Sequence, residues 1–123
     1  MIVKVANAKK VWELYANSWG VESAQEKTAL YEQCLEAGCM YTDPTIRVSG
    51  WDDLMAYMLD FHKQIPGGHF VTTDFLAHHD CCLANWEMRA GNGDIAGTGI
   101  SFAQFSENGK LKSMTGFFDA SKL

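Results

Sequence analysis

Proline and basic side chains are scarce in this sequence, and long apolar runs are absent. Two of its 123 residues are proline, and 10 Lys and Arg face 15 Asp and Glu, which gives a formal net charge of −5. This balance argues against a general nucleic-acid binder, because such proteins neutralise phosphates with clustered basic side chains. No apolar stretch approaches the roughly 20 residues that a membrane-spanning helix needs, so we expect no membrane partner.

The composition is that of a globular protein. Hydrophobic residues make up 47% of the chain and charged residues 20%, which separates it from disordered proteins. A chain of 123 residues buries enough surface to fold without disulfides or a structural metal, so we interpret residues 1–123 as one domain. The N-terminus has neither the apolar core nor the cleavage site of a signal peptide, which predicts a cytoplasmic location.

The four cysteines are Cys34, Cys39, Cys81 and Cys82. Neighbouring cysteines on a strand point to opposite faces, and no C-x-x-C pair with the spacing of a zinc site occurs. We therefore predict four reduced thiols in a reducing compartment. No cofactor is implied either, since Gly97-Thr98-Gly99 lies inside a predicted strand, where it allows bending, rather than in a phosphate-binding loop.

Hydrophobic spacing and capping residues predict three helices in the N-terminal half. The first follows Asn7 as N-cap and ends at Gly20, as the spacing of its apolar residues and the terminal glycine indicate. The second begins with the capping box Ser23-Ala24-Gln25-Glu26 and ends at Gly38, since serine and glutamate at this spacing cap each other's backbone amides. The third begins after Gly50, with two aspartates in its first turn, where the helix dipole favours anions.

Strands are predicted for the rest of the chain. Two short strands, near residues 39–42 and 47–49, flank Asp43-Pro44, where the proline favours an extended backbone for Asp43. From His69 onward the hydrophobic period changes to two. That period predicts four long strands, near residues 70–77, 82–90, 95–105 and 111–118. Short turns separate these strands, which predicts antiparallel neighbours and an α+β fold with helices on one face of the sheet.

Three motifs follow one another along these elements. They are Tyr41-Thr42-Asp43-Pro44, Gly50-Trp51-Asp52-Asp53-Leu54, and Asn108-Gly109-Lys110-Leu111 running into Thr115-Gly116-Phe117-Phe118-Asp119. Their order and spacing resemble the nuclear transport factor 2-like superfamily, and most closely its SnoaL-like polyketide cyclases and ketosteroid isomerases. The resemblance implies a cystatin-like cone, in which a strongly curved, mixed but mainly antiparallel sheet wraps three N-terminal helices and leaves an apolar pocket. Members include isomerases, cyclases, dehydratases, epoxide hydrolases and non-catalytic binding modules, so the fold leaves the function open.

Asp43 is the strongest candidate for a catalytic residue. Asp43-Pro44 matches the segment in which the resembled isomerases carry the aspartate that moves a proton next to a ketone. Proton transfer of this kind needs a positioned carboxylate within reach of the substrate. The alternative is a turn-initiating Asp-Pro whose carboxylate caps neighbouring backbone amides.

The oxyanion donors of those isomerases are matched less well. Their second catalytic aspartate corresponds to Ser101, counted back from Gly109, and a serine hydroxyl donates a hydrogen bond without being an acid. Tyr15 lies on the helical face where those isomerases carry their donor tyrosine. A gap-free count back from Asp43 reaches Trp19 instead, so both residues remain candidates for this position. The missing aspartate argues against steroid isomerisation itself, because losing one such donor commonly costs about 10²–10³ in rate.

Aromatic and sulfur-containing side chains are predicted to line the pocket. By the resemblance, alternate residues of the strands face into the cone, opposite one face of the helices. The predicted ligand-binding residues are Trp19, Phe61, Trp86, Met88, Met114 and Phe118. Such a lining suits a hydrophobic ketone or an aromatic ring, although large side chains also fill ordinary cores.

His78 and His79 fall in a predicted turn between two long strands. Residues at a hairpin tip are usually solvated, and adjacent histidines with the following aspartate rarely converge on one metal ion. Their role stays open, and we predict no metal site.

The leading hypothesis is a small-molecule enzyme with Asp43 as acid or base on a hydrophobic carbonyl compound, in isomerisation, cyclisation or elimination. Tyr15, Tyr57 and Ser101 would orient or polarise the carbonyl oxygen as further catalytic residues. The alternatives are a non-catalytic module that binds a hydrophobic ligand, and a dimeric interaction domain with a vestigial pocket. A hydroxyl facing Asp43 favours the enzyme, and a filled cone favours the interaction domain.

The opposite face of the strands carries apolar side chains that a single cone would expose. They are Leu83, Ile100, Phe102 and Phe117. Glu87 and Arg89 lie among them and are expected to pair across an interface. Monomers rarely expose a contiguous apolar patch beyond a few hundred Å², and the resembled families commonly pair back to back about a two-fold axis. We therefore predict a homodimer through this outer face.

Overall fold

Three helices and a six-stranded sheet make up the computed structural model, which describes residues 5–122. The helices are α1 (Val5–Gly20), α2 (Ala24–Cys34) and α3 (Trp51–Gln64). The strands are β1 (Leu35–Asp43), β2 (Ile46–Ser49), β3 (His69–His78), β4 (Cys81–Arg89), β5 (Ile95–Phe105) and β6 (Leu111–Phe117). A 3₁₀ turn, Ala120–Lys122, follows. In this part of the chain no helix combines the length and the hydropathy that crossing a membrane requires. The predicted α+β class is confirmed.

The sheet is mixed and open. Its strand order is β2-β1-β6-β5-β4-β3, so β2 and β3 form two free edges. The pair of β1 and β6 is parallel, whereas the other neighbours are antiparallel. Register shifts interrupt four of the five pairings, and such bulges bend a strand and increase its twist. The curved, mainly antiparallel sheet expected from the sequence is therefore confirmed.

The second helix ends four residues before the predicted stop at Gly38. Leu35 already has an extended backbone (φ −120°, ψ 139°), and its N–H donates to the carbonyl oxygen of Tyr31. Leu35 pairs with Leu111 of β6 and is 1% exposed. The prediction was wrong because pairing with a strand 76 positions away along the chain, and not the local glycine, decides where the helix stops.

The helix starts agree with the sequence in one case and differ in another. Ser23 Oγ accepts a hydrogen bond from the Glu26 N–H at 3.0 Å, so the predicted N-cap is confirmed. Glu26 Oε1 accepts from the Ser23 hydroxyl at 2.9 Å and not from the Ser23 backbone amide. Asn7 was predicted as an N-cap but lies inside α1. Its side chain is exposed. Asparagine at such a position lowers helix stability by at most about 0.7 kcal/mol, so the helix tolerates it.

The core fills one end of the cone and leaves the other end open. Along β5, Ala103 and Phe105 are buried in the core, whereas Gly97 and Ser101 line a cavity. The helices close the core from the concave side, with Tyr31 completely buried among them. The same strand therefore supplies core packing at one end and part of the cavity wall at the other.

All four cysteines are free thiols, as predicted. Cys34, Cys39 and Cys82 are buried, and burial raises the pKa of Cys34 and Cys82 to about 12 and that of Cys39 to about 11. These three thiols therefore stay protonated, which makes them poor nucleophiles.

Lys27 is a completely buried charged side chain on α2. Its Nζ donates to the carbonyl oxygens of Ser18 at 2.7 Å and Val21 at 2.6 Å, and lies 2.9 Å from Nε2 of His62. It thereby caps the C-terminal end of α1, where carbonyl groups lack helical partners. Burial lowers the pKa of Lys27 from 10.5 to about 8.

We expect the contribution of Lys27 to stability to become more favourable as it loses its proton. Because its folded-state pKa is below the ordinary value, Lys27 binds more protons in the unfolded chain between the two values, and its contribution to the free energy of unfolding rises with pH. From about pH 7.5 to about pH 9.5 the gain is about 2 kcal/mol. Urea denaturation of the wild type and of Lys27→Met at both pH values isolates it, since the cysteine and tyrosine contributions are common to both chains. A stability difference that is independent of pH would contradict the lowered pKa.

The outer face of the sheet carries the predicted apolar residues. Leu83 pairs with Phe102, and Ile100 pairs with Phe117. Leu83, Phe102 and Phe117 are exposed, the last at 56%. The predicted strand register is therefore confirmed, and this group of four residues is called the outer apolar face below.

Glu87 and Arg89, which were expected at an interface, already contact each other in the single chain. Arg89 and Glu87 form an ion pair with each other within the chain, with Arg89 Nη2 2.6 Å from Glu87 Oε1. They lie two residues apart on one strand and therefore on the same side of it. Their charges are matched before any second molecule arrives.

Candidate functional site

A cavity of about 630 Å³ opens at the end of the cone that the core leaves free. Residues of α1, α3 and five strands line it, and nine of them are aromatic. The aromatic residues are Trp12, Tyr15, Trp19, Tyr41, Tyr57, Phe61, Phe70, Trp86 and Phe118. The volume lies within the range of small-molecule sites, which is about 300–1,000 Å³.

Nine of the ten predicted site residues line this cavity. They are Tyr15, Trp19, Asp43, Tyr57, Phe61, Trp86, Met88, Ser101 and Phe118. The tenth, Met114, is 1% exposed and packs in the core. It lies on the predicted inward face of β6, but two positions deeper in the cone than Gly116, which does line the cavity. Its distance along the strand, and not its face, separates it from the site.

The two oxygens of the Asp43 carboxylate have different partners. Oδ1 accepts hydrogen bonds from the N–H of Thr45 at 2.8 Å, from the Thr45 hydroxyl at 2.8 Å and from the N–H of Ile46 at 3.2 Å. Oδ2 accepts from the hydroxyls of Tyr41 at 2.7 Å and Tyr57 at 2.6 Å. The alternative role, in which the carboxylate caps neighbouring backbone amides, is therefore observed at Oδ1, whereas Oδ2 faces two phenols.

Both tyrosines beside Asp43 keep their protons at physiological pH. Burial, together with the hydrogen bond to the carboxylate, raises the pKa of Tyr57 to about 12. Burial raises the pKa of Tyr41 further, with Tyr15 and Asp43 as additional causes. A neutral phenol beside a carboxylate donates a hydrogen bond to it, so both hydroxyl protons are directed at Asp43.

Tyr41 and Thr45 were not predicted as site residues. Tyr41 lies two positions before Asp43 on β1, and residues two apart on a strand face the same side. That alternation was a signal for Tyr41 in the sequence. The signal for Thr45 was weaker. It follows Asp43-Pro44 directly, and residues just after an aspartate in a turn often contact its carboxylate.

Ser101 lies across Gly116 from Asp43. A Cβ atom placed on Gly116 would be 3.6 Å from Ser101 Oγ and 3.8 Å from Asp43 Cβ, so the two side chains flank the same backbone position. Ser101 Oγ accepts a hydrogen bond from Trp86 Nε1 at 3.0 Å. Its own proton has no acceptor among residues 5–122, and it therefore remains available to a molecule in the cavity.

Gly99 makes room for the Trp86 ring. A Cβ atom at residue 99 would lie 2.3 Å from Cζ2 of Trp86, which is far inside contact distance. The indole therefore lies directly against β5, with its N–H directed at Ser101. Glycine at this position was expected to allow bending of the sheet, and the structure gives it this additional role.

Tyr15 and Trp19, the two alternatives for the donor on α1, both line the cavity one helical turn apart. Trp19 makes edge contacts with Tyr57 and Phe61, with ring centroids 5.9 and 5.5 Å apart. Burial raises the pKa of Tyr15. The phenol hydroxyls that contact Asp43 belong to Tyr41 and Tyr57, so of the predicted tyrosines Tyr57 is the one beside the carboxylate.

His78 and His79 are exposed at the hairpin between β3 and β4. Their Nδ1 atoms lie 3.1 Å apart, and His79 has a left-handed backbone with φ 50°. Neither residue lines the cavity. In the part of the chain that the structure describes, no three His, Cys, Asp or Glu side chains are arranged to hold a metal ion.

Comparison with known proteins relates this chain to one sequence family and to many solved structures. The model of the SnoaL-like domain family matches residues 22–114. A candidate isomerase of the SnoaL-like family from Agrobacterium tumefaciens superposes with a TM-score of 0.85 at 20% identity, covering 94% of this chain and 100% of that one. A candidate SnoaL-like polyketide cyclase from Jannaschia has a TM-score of 0.76 at 14% identity and covers 95% of this chain and 88% of its own.

A protein from Catenulispora acidiphila with a ketosteroid isomerase-like fold, solved in complex with trimethylamine, has a TM-score of 0.74 at 11% identity. The match covers 92% of this chain and 88% of that one. At these identities the likeness establishes the fold. No curated protein matches the chain significantly.

Proposed function

Because the chain belongs to the SnoaL-like domain family, we propose that it is a small-molecule enzyme that moves a proton next to the carbonyl group of a hydrophobic compound. The observation that carries the proposal is the Asp43 carboxylate in an aromatic cavity, with a serine hydroxyl on the other side of Gly116. Isomerisation, cyclisation and elimination share one first step, the removal of a proton from the carbon beside a carbonyl. Asp43 is the base of that step.

The hydrogen bonds from Tyr41 and Tyr57 depend on the protonation state of Asp43. At rest, the hydroxyl protons of Tyr41 and Tyr57 are both directed at Oδ2. When Oδ2 takes the proton of the substrate, the carboxyl group becomes neutral and accepts hydrogen bonds less strongly. One phenol is then released to donate to the oxygen of the substrate, on which negative charge has just developed. The donor becomes available when the transition state requires it.

Tyr57 is the phenol best placed to be released. It is partly exposed and its hydroxyl also lies 3.0 Å from Thr45 Oγ1, whereas Tyr41 is buried. The free proton of Ser101 supplies a second donor for the same oxygen. Tyr15 orients the substrate from α1, and its apolar body packs on the wall formed by Trp19, Phe61, Trp86, Met88 and Phe118.

A non-catalytic binding module is the second candidate, and one observation favours it. The Asp43 carboxylate already accepts five hydrogen bonds. A carboxylate offers about four lone-pair positions, so Asp43 is fully satisfied without a ligand. In this case Asp43 anchors the β1–β2 turn and the two tyrosines, and the aromatic cavity binds a hydrophobic molecule unchanged. The open cavity argues against the third hypothesis, that of an interaction domain with a filled cone.

The proposal also covers the oligomeric state of the protein and its location in the cell. We propose a homodimer that pairs through the outer apolar face, because three of its four residues are exposed in the single chain. A cytoplasmic location fits four free thiols, since disulfides form mainly in oxidising compartments.

The exchange of α-protons tests the proposed reaction without knowledge of the natural substrate. We expect the protein to accelerate the exchange of the protons beside the carbonyl of 2-tetralone, a neutral hydrophobic ketone, for deuterium in D₂O, as followed by NMR. Ser101→Ala should lower the accelerated rate about 10²-fold, because it removes one donor to the developing enolate oxygen.

Ser113→Ala is the matched control for this experiment. The Ser113 hydroxyl donates to Gln104 on the outer side of the sheet, so its removal should leave the exchange rate unchanged. The tryptophans of the cavity report binding through their fluorescence. A ketone that binds but exchanges no faster than in buffer would contradict the enzyme and support the binding module.

A further inference from the structure

The charged side chains that line the cavity all have the same sign. Among the described residues they are Asp43, Asp60 and Asp119, and the lining contains no lysine, arginine or histidine. Asp43 is buried, whereas Asp60 and Asp119 are exposed, which places them where the cavity meets solvent. The cavity therefore has acidic groups both inside and at its opening.

The two carboxylates at the opening are held in place by donors of their own chain. Asp60 accepts a hydrogen bond from Gln64 Nε2 at 2.6 Å. Asp119 accepts from the N–H of Ser121 at 3.0 Å and from its hydroxyl at 2.6 Å. These two bonds lower the pKa of Asp119, so that it carries its charge throughout the physiological range.

Aromatic walls act in the same direction as the carboxylates wherever their ring faces meet the ligand. The faces of aromatic rings carry partial negative charge and attract cations within about 6 Å of the ring centroid. Nine aromatic side chains surround the cavity, and their apolar bodies exclude water and lower the local dielectric constant. In such a cleft the field of a few like charges is focused, which raises the concentration of ions of opposite sign.

Next to Asp43 an anionic ligand would find few donors. The protons of Tyr41 and Tyr57 are directed at Asp43, so their oxygens present lone pairs to the ligand. The hydroxyl of Ser101 is the donor that remains on this part of the wall. A carboxylate or phosphate would lose its hydration without gaining a matching partner, which is costly in an apolar site.

We propose that this cavity selects its ligand by charge and takes a hydrophobic organic cation, such as an amine with an aromatic or alkyl body. A neutral molecule of the same shape binds more weakly, and an anion binds more weakly still. This inference rests on the proposed function, because it concerns the same cavity. It narrows the substrate from any hydrophobic carbonyl compound to one that also carries a protonated amine.

Three probes of one shape and different charge test the selection. They are 4-phenylbutylamine, 4-phenylbutan-1-ol and 4-phenylbutyrate, whose affinities are measured by calorimetry at neutral pH and low ionic strength. We expect the amine to bind about tenfold more tightly than the alcohol, and the carboxylate about tenfold more weakly. Added salt should reduce both differences, because the carboxylates at the opening are exposed and are screened.

Variants at the opening identify the source of the selection. The double variant Asp60→Asn with Asp119→Asn should lower the affinity of the amine several-fold and leave that of the alcohol unchanged. Asp53→Asn is the matched control, because it removes the same charge from an exposed position of α3 outside the cavity lining. Asp43 is left intact, so the proposed base is not disturbed.

The possible results separate this inference from the proposed function. A carboxylate that binds as tightly as the amine, or an amine whose affinity changes neither with salt nor in the double variant, would overturn charge selection alone. Binding of the alcohol and exchange of 2-tetralone would then still support a site for neutral hydrophobic compounds. Failure of all three probes to bind would overturn both, since the cavity would not take up hydrophobic ligands of this size.

Discussion

Asp43→Asn is expected to lower the rate of α-proton exchange from 2-tetralone by about 10²–10⁴-fold, the usual contribution of a general base. An amide has no lone pair basic enough to accept the proton of the substrate. The tyrosines then have no carboxyl group whose protonation would release one of them. Both parts of the proposed mechanism are lost in one substitution.

The fold should survive this change. The amide oxygen of asparagine can replace Oδ1 and still accept from Thr45 and Ile46 at the turn. The amide nitrogen then replaces Oδ2 and donates to the phenol oxygens of Tyr41 and Tyr57. Hydrogen bonds to a charged group give way to neutral ones, which costs about 1–2 kcal/mol of stability.

Thermal melting and ligand binding on the same protein separate catalysis from folding. Asp74→Asn is the matched control, since Asp74 is an exposed aspartate of β3 whose carboxylate bonds only its neighbouring backbone N–H among the described residues. Asp43→Ala provides a contrast, because it also removes the turn cap and should lower the melting temperature further. Exchange that continues at the wild-type rate in Asp43→Asn would rule out Asp43 as the base.

Phe102→Glu is expected to convert a homodimer into monomers. Phe102 is 38% exposed at the centre of the outer apolar face, opposite Leu83 on β4 and next to β6. A two-fold axis through this face brings each residue close to its own copy. Two buried carboxylates would then lie near one another without partners, because Arg89 is already paired with Glu87. Leaving a charge unpaired in an interface costs about 3–5 kcal/mol.

Light scattering at micromolar concentration measures the mass directly. The wild type should have twice the mass of one chain, and Phe102→Glu should have 13.7 kDa. Phe102→Leu is the matched control, because it keeps an apolar side chain and should remain dimeric. A wild-type mass near that of one chain, or a Phe102→Glu variant that is still dimeric and equally stable, would show that this face is not an interface.

Local patterns in the sequence determined the elements and most of the candidate site. The N-cap at Ser23 and the change of period at His69 depend on contacts between near neighbours, so they can be recognised without a structure. Alternation along β4 placed Trp86 and Met88 on one face for the same reason, and the resemblance to a known family implied that this face looks into the cone. The resemblance to a known family then indicated that Asp43, Ser101 and the aromatic side chains share one cavity.

Contacts between distant parts of the chain decided the rest. The end of α2 follows from the pairing of Leu35 with Leu111, and the place of Met114 in the core follows from how deep in the cone its part of β6 lies. The contact of Tyr57 with Asp43 depends on the packing of α3 against β1, and the room for Trp86 depends on the pairing of β4 with β5. Each of these depends on which residues far apart in the sequence come to lie side by side. Periodicity within one segment does not specify that.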